Sequence, residues 1–188
     1  MVIGITGGSG GGKTTVSKEF EKVGFKIIDA DEVAHKVMSK GSDCLNEVIE
    51  AFSSEYLKDD GELDRKKLGS LVFNSPEKLE LLNSITHKHI IKEIKNQVCE
   101  KTVIDAIGLF DTDLYKLCDS TIFVYCPENI RVKRIMTREG ITEEYAKSRI
   151  NAQRSDEYFK EKSDFTVVND GKNDIITQLK GFYGEEIF

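Results

Sequence analysis

Gly7-Gly8-Ser9-Gly10-Gly11-Gly12-Lys13-Thr14 satisfies the spacing G-x-x-x-x-G-K-[ST] at every required position, the pattern of a loop that binds phosphate. The apolar run before it, Val2-Ile3-Gly4-Ile5-Thr6, predicts a buried strand. The segment after it, Thr15 to Val23, carries helical spacing through Val16, Phe20 and Val23. Strand, loop and helix in that order are the context the motif requires.

The residue types follow from the chemistry. Glycines let successive backbone N–H groups turn inward and approach phosphate oxygens, since no Cβ blocks the loop or forbids positive φ. The helix that follows points its positive end at the same spot. Gly8, Ser9, Gly10, Gly11 and Gly12 thus supply the ATP-binding loop. Lys13 reaches the β- and γ-phosphates as a compact charge, the Thr14 hydroxyl is placed to ligate Mg²⁺, and Thr15 adds a phosphate contact.

With 188 residues the chain is long enough for one substantial α/β core. Its net charge of −6 argues against non-specific binding to nucleic acid or a membrane surface, whose footprint would be basic. No apolar run approaches the length of a membrane helix, and no signal pattern opens the chain, so a cytoplasmic protein is expected. Cys44, Cys99, Cys118 and Cys126 are scattered, and none falls in a C-x-x-C pair, so neither a zinc site nor a redox motif is indicated.

Further strands are expected at 25–29, 102–105, 120–126 and 165–168, with helical patterns between them. Apolar strands joined by helices imply right-handed crossovers and a five-stranded parallel sheet flanked by helices, with ligands gathered at the strands' carboxyl ends. Asp29, Asp31 and Asp105 cluster at such ends. The excursion between Asp29 and Thr102 is too long for one crossover helix. Residues 43–53 and 64–73 read as helices, and a longer one starts with Ser75 as cap and Pro76 in the first helical position. The whole is one domain, 1–188, with a helical insertion at about 40–98 suited to a bulky second substrate.

Five of the six arginines, Arg131, Arg134, Arg138, Arg149 and Arg154, fall within one stretch. Arginine presents a rigid fork that binds phosphate oxygens in bidentate fashion. A helix starting near Glu128 puts Arg131, Arg134 and Arg138 along one face, ending at Gly140, and Thr142 caps the next helix. An arginine-bearing lid at about 131–160 follows, with Arg134 and Arg138 as the phosphate-facing pair. Arg131 and Arg149 serve equally well in solvated ion pairs.

A kinase must also orient the acceptor hydroxyl. Asp31 is the better candidate for this catalytic role, because a helix from Glu32 onward turns it into the cleft and leaves Asp29 as support. Asp31 also suits the cap of that helix. His87 and His89 are two apart on a helix and point to different faces, so a shared metal is excluded, and His87 is left for acceptor contact.

The chain resembles the dephospho-CoA kinase family over almost its whole length. The similarity rests on Ile5-Thr6-Gly7-Gly8-Ser9-Gly10-Gly11-Gly12-Lys13-Thr14-Thr15-Val16, on Ile27-Ile28-Asp29-Ala30-Asp31, and on Leu82-Asn83-Ser84-Ile85-Thr86-His87. Val103-Ile104-Asp105, Leu109-Phe110-Asp111, Arg134 with Arg138-Glu139-Gly140-Ile141-Thr142, Gln153 and Val168-Asn169-Asp170-Gly171 continue it. Lys88, Ile107-Gly108 and Asp111 depart from the family pattern. The resemblance implies transfer of a phosphoryl group from ATP to the 3′-hydroxyl of dephospho-CoA. Asp31 would lie near that hydroxyl, Arg138 would clamp the phosphates, and Asp31, His87 and Asp105 would form acceptor contacts. Two other readings share the motif: a kinase of a nucleoside or a shikimate-like acceptor, and a regulatory GTPase with Asp105-Ala106-Ile107-Gly108 as its D-x-x-G. The second lacks N-K-x-D for guanine.

Overall fold

The computed structural model describes residues 1–188. Five strands, β1 (Val2–Thr6), β2 (Lys26–Asp29), β3 (Thr102–Asp105), β4 (Ser120–Tyr125) and β5 (Phe165–Val168), form one sheet in the order β2-β3-β1-β4-β5. β1 pairs in parallel with β3, Ile5 opposite Asp105, and with β4, Ile5 opposite Ile122. The strand carrying the phosphate loop is therefore central. Its apolar residues explain this position, because Ile3, Ile5, Val103, Ile122 and Val124 are buried within one cluster and a strand covered on both faces has no polar side to offer solvent.

Nine α-helices complete the fold: α1 (Lys13–Lys22), α2 (Ala30–Val37), α3 (Asp43–Phe52), α4 (Arg65–Val72), α5 (Pro76–Gln97), α6 (Glu128–Glu139), α7 (Glu143–Asn151), α8 (Asp156–Lys162) and α9 (Ile175–Tyr183). No helix is long and apolar enough to cross a membrane. The chain divides into two compact units, Met1–Ile28 with Val98–Phe188, and Asp29–Gln97. In the first unit, α1 and α9 supply Val16, Phe20 and Leu179 to the sheet's core. α6 and α7 share a separate cluster of Val132, Ile135, Ala146 and Ile150. The second unit is all-helical and buries Leu45, Val48, Leu68, Val72 and Ile85.

Most element boundaries fall where residue chemistry puts them. α5 starts at Pro76, α6 starts at Glu128 and ends on Gly140 in the left-handed conformation, and the Thr142 side chain accepts from Tyr145 N to cap α7. One expectation is overturned. The helix after β2 starts at Ala30, and its cap is Asp29, whose Oδ1 accepts from Asp31 N at 2.8 Å and Glu32 N at 3.2 Å. A carboxylate at the strand's last residue satisfies two first-turn amides, so the helix begins without a loop and Asp31 is not its cap.

Candidate functional site

After β1 the chain turns through Gly7, Gly10 and Gly12, all at positive φ, with Gly11 N donating to Gly8 O at 3.1 Å. Gly12 is the N-cap of α1 in the left-handed conformation, and no side chain caps that helix. Thr15 N donates to Gly12 O at 3.0 Å, so the amides of Lys13 and Thr14 are the first-turn donors left for an anion, aligned with the helix dipole. Two glycines are required by close approach. A Cβ at Gly8 would lie 2.0 Å from Arg131 Nη2, and one at Gly12 would lie 2.0 Å from Asn169 Nδ2.

Those neighbours hold the loop by its carbonyls. Arg131 Nε donates to Ser9 O at 3.0 Å, Arg134 Nη1 to Gly10 O and Gly11 O at 3.3 Å each, and Asn169 Nδ2 to Gly11 O at 3.0 Å. A peptide has its N–H opposite its C=O, so cations and amides gripping the carbonyls orient the peptide dipoles as an anion-binding nest demands. Arg131 is 4% exposed and also donates from Nη1 to Asp156 Oδ1 at 3.0 Å. Burial raises the Asp156 pKa despite the opposing pull of Arg131.

The arginine row thus divides differently from the expectation. Arg131 and Arg134 grip the loop, whereas Arg138, its side chain 62% exposed, bonds Glu139, and Arg149 bonds the same carboxylate. Arg154 Nη2 donates to Asp111 Oδ1 at 2.9 Å. Arg131, Gln153 and Asn169 are site residues that spacing alone did not single out. The available signal was the position of Arg131 one helical turn before Arg134, on the same face.

Opposite Ile5, at the end of β3, Asp105 lies 3.9 Å from Lys13 Nζ and accepts from Ser17 Oγ at 3.2 Å. Ser17 is anchored in turn on Lys13 O at 3.1 Å. Lys13, the first residue of α1, is thereby oriented by a carboxylate on β3, the strand beside β1. Thr14 and Thr15 are exposed in the first turn of α1. No cluster of three or more His, Cys, Asp or Glu residues forms an all-protein metal cage. Thr14 with Asp105 matches the sparse oxygen set that Mg²⁺ takes when substrate phosphates complete its shell. Beside the loop, Ile107, Asp111, Ala152, Gln153, Arg154 and Phe159 line a cleft of about 380 Å³.

In the helical unit, the exposed Asp31 carboxylate lies in the first turn of α2, outside the Asp29 cap. His87 is half-buried on α5. His89 Nε2 lies 3.0 Å from Glu47 Oε1, and Lys88 pairs with the same carboxylate. Hydrogen bonds from Lys88 and then His89 lower the Glu47 pKa. Lys88, a departure from the family pattern, therefore has a partner on α3 within its own unit.

The family described as dephospho-CoA kinase matches residues 1–174 of this chain. A dephospho-CoA kinase of Carboxydothermus hydrogenoformans is 40% identical over 177 residues, covering 90% of this chain and 86% of that protein. The structure of a dephospho-CoA kinase from Campylobacter jejuni is 30% identical with a TM-score of 0.65, covering 94% of this chain and 90% of that one. A shikimate kinase from Bacteroides thetaiotaomicron shares the fold at 17% identity, with a TM-score of 0.58 and 97% coverage of each chain.

Proposed function

Because the chain belongs to the dephospho-CoA kinase family, we propose that it moves the γ-phosphoryl group of ATP onto the ribose 3′-hydroxyl of dephospho-CoA, giving CoA and ADP. The observation that carries this reading is the glycine loop whose carbonyls are gripped by Arg131, Arg134 and Asn169, in a chain that matches the family across 1–174. Lys13 and the loop amides other than those of Ser9 and Gly11, which donate to Gln153 Oε1 and Gly8 O, receive the β- and γ-phosphates. Thr14 and Asp105 would hold Mg²⁺, which neutralises charge on the phosphate oxygens when bound. Asp105 then serves the phosphate side, supporting Lys13, in place of the acceptor contact expected from the sequence.

As the acceptor oxygen forms its bond to phosphorus, the bond from phosphorus to the β-phosphate oxygen breaks and ADP leaves. Asp31 accepts the hydroxyl proton. The transition state of phosphoryl transfer is loose, so alignment and charge neutralisation by Lys13 and arginine supply most of the acceleration. Arg138, at the exposed end of the arginine row in the lid at about 131–160, reaches the transferring group by leaving Glu139, while Arg131, Arg134 and Gln153 keep their hold on the loop. The helical segment of about 40–98, with His87, receives the CoA precursor. Four cysteines, all free, suit a reducing, cytoplasmic compartment.

Incubation with ATP, Mg²⁺ and dephospho-CoA, followed by mass detection, should give a product heavier by one phosphoryl group. Phosphorylation of shikimate or a nucleoside in its place would select the rival kinase reading, and a GTP preference without acceptor turnover would select the GTPase. Asp31→Asn should abolish most turnover while ATP still binds. Full ADP-forming activity in that variant would remove Asp31 from the mechanism.

A further inference from the structure

Five of the six residues from Gly7 to Gly12 are glycine, so this segment has far more backbone freedom to lose than an ordinary loop of its length. The one residue with a side chain, Ser9, is 7% exposed and is held at all three of its polar groups. Its amide donates to Gln153 Oε1 at 2.9 Å, its hydroxyl accepts from Gln153 Nε2 at 2.8 Å, and its carbonyl accepts from Arg131 Nε at 3.0 Å. A side-chain amide that reads both the backbone and the hydroxyl of one residue fixes that residue's orientation as well as its place.

Gln153 sits in the short connection between α7 and α8. Its neighbour Arg154 bonds Asp111 across the cleft, and Asp156, the first residue of α8, holds Arg131. One stretch of the lid therefore reaches Ser9 twice, directly through Gln153 and through Asp156 by way of Arg131.

The geometry points to Gln153 as a positioning residue for nucleotide binding, acting through Ser9 to order the glycine loop before the phosphates arrive. This inference rests on the kinase reading for its biological meaning, but nucleotide affinity tests it without any acceptor. Ordering the loop in advance removes part of the entropy that binding would otherwise lose. The benefit belongs to the nucleotide alone, because both phosphoryl acceptor and chemical step meet a loop that bound phosphate has already ordered.

Gln153→Met keeps the length and apolar packing of the side chain and deletes both hydrogen bonds. The dissociation constant for ADP, by calorimetry, and KM for ATP should each rise roughly tenfold, the equivalent of fixing about one residue's backbone. The kcat and the acceptor KM should stay within about twofold, a split that a general loss of folding would not give. Ser9→Ala should weaken ADP binding about threefold in the parent and have almost no effect in Gln153→Met, where the hydroxyl has lost its partner. The inference is overturned if Gln153→Met binds ADP like the parent, if its loss falls equally on kcat and both KM values, or if Ser9→Ala costs the same in both backgrounds. Should Gln153→Met fold poorly, Gln153→Asn, which retains the amide one methylene short, replaces it with the same expectations.

Discussion

Gly12→Ala tests the loop where two constraints meet. Gly12 has φ 90° and ψ 33°, a left-handed conformation that a Cβ penalises by about 1–2 kcal/mol. The added methyl would also lie 2.0 Å from Asn169 Nδ2, a buried amide that donates to Gly11 O at 3.0 Å. Moving Asn169 aside breaks that bond and strands buried polar groups, which costs about 1–3 kcal/mol more. The total, about 2–5 kcal/mol, corresponds to a fall in melting temperature of roughly 5–15 °C for a chain of this size. Calorimetric unfolding of Gly12→Ala, Asn169→Ala and the double variant separates the two contributions. In the Asn169→Ala background the conformational penalty remains beside a 3.2 Å approach to the flexible end of Arg134, so Gly12→Ala should there cost about 1–2 kcal/mol. An equal fall in both backgrounds, or a fall under about 2 °C in the parent, would refute the reasoning.

Arg138→Ala should lower kcat by about a hundredfold while ADP affinity hardly changes, since the ground-state grip on the loop comes from Arg131 and Arg134; unchanged turnover would remove Arg138 from the lid's chemistry. Burial pushes the Tyr183 phenol up to about 12. Above pH 10 the unfolded chain ionises this group while the folded chain does not, so its contribution to stability, complete below pH 10, should decline as pH rises toward 12. Tyr183→Phe should flatten the decline of denaturant midpoint over that interval, and an unchanged slope would count against it. Burial likewise raises the Cys118 thiol to about 12, and Cys44 and Cys126 are buried. An aromatic disulfide reagent at neutral pH should therefore titrate the exposed Cys99 quickly and the other three only after denaturation; fast release of more than one equivalent would contradict this.

The sheet and the phosphate loop were legible because their signals are local. An apolar run of four to six residues, a glycine-lysine motif and a Ser-Pro helix start need no knowledge of what lies across the fold. The division of labour among the arginines was not. Periodicity puts Arg131, Arg134 and Arg138 on one face of α6 but does not say which end of that face meets the loop. Strand order decides it: β4 lies beside β1, so the first turns of the helix leaving β4 reach Ser9 and Gly11, while the last turn bears Arg138 on Glu139. The cap of α2, expected at Asp31, falls to Asp29 for a similar reason. Both suit a cap, and only the point where β2 stops pairing selects the first. α8 and α9 carried ordinary signals, Ser155 before Asp156-Glu157 and Asp174 before an apolar pattern ending at Gly184.

The register of β1 sets an order of events during synthesis. Its partners on either side, Thr102–Asp105 and Ser120–Phe123, are about a hundred residues downstream. On a ribosome making some 5–20 residues per second, the opening strand waits several seconds for its neighbours to emerge. The helices of 29–97, whose contacts are closer in sequence, are free to condense in that interval. The segment translated first is thus among the last to be built in, and a nascent chain that ends before Asn169 has no finished cradle with which to capture a nucleotide.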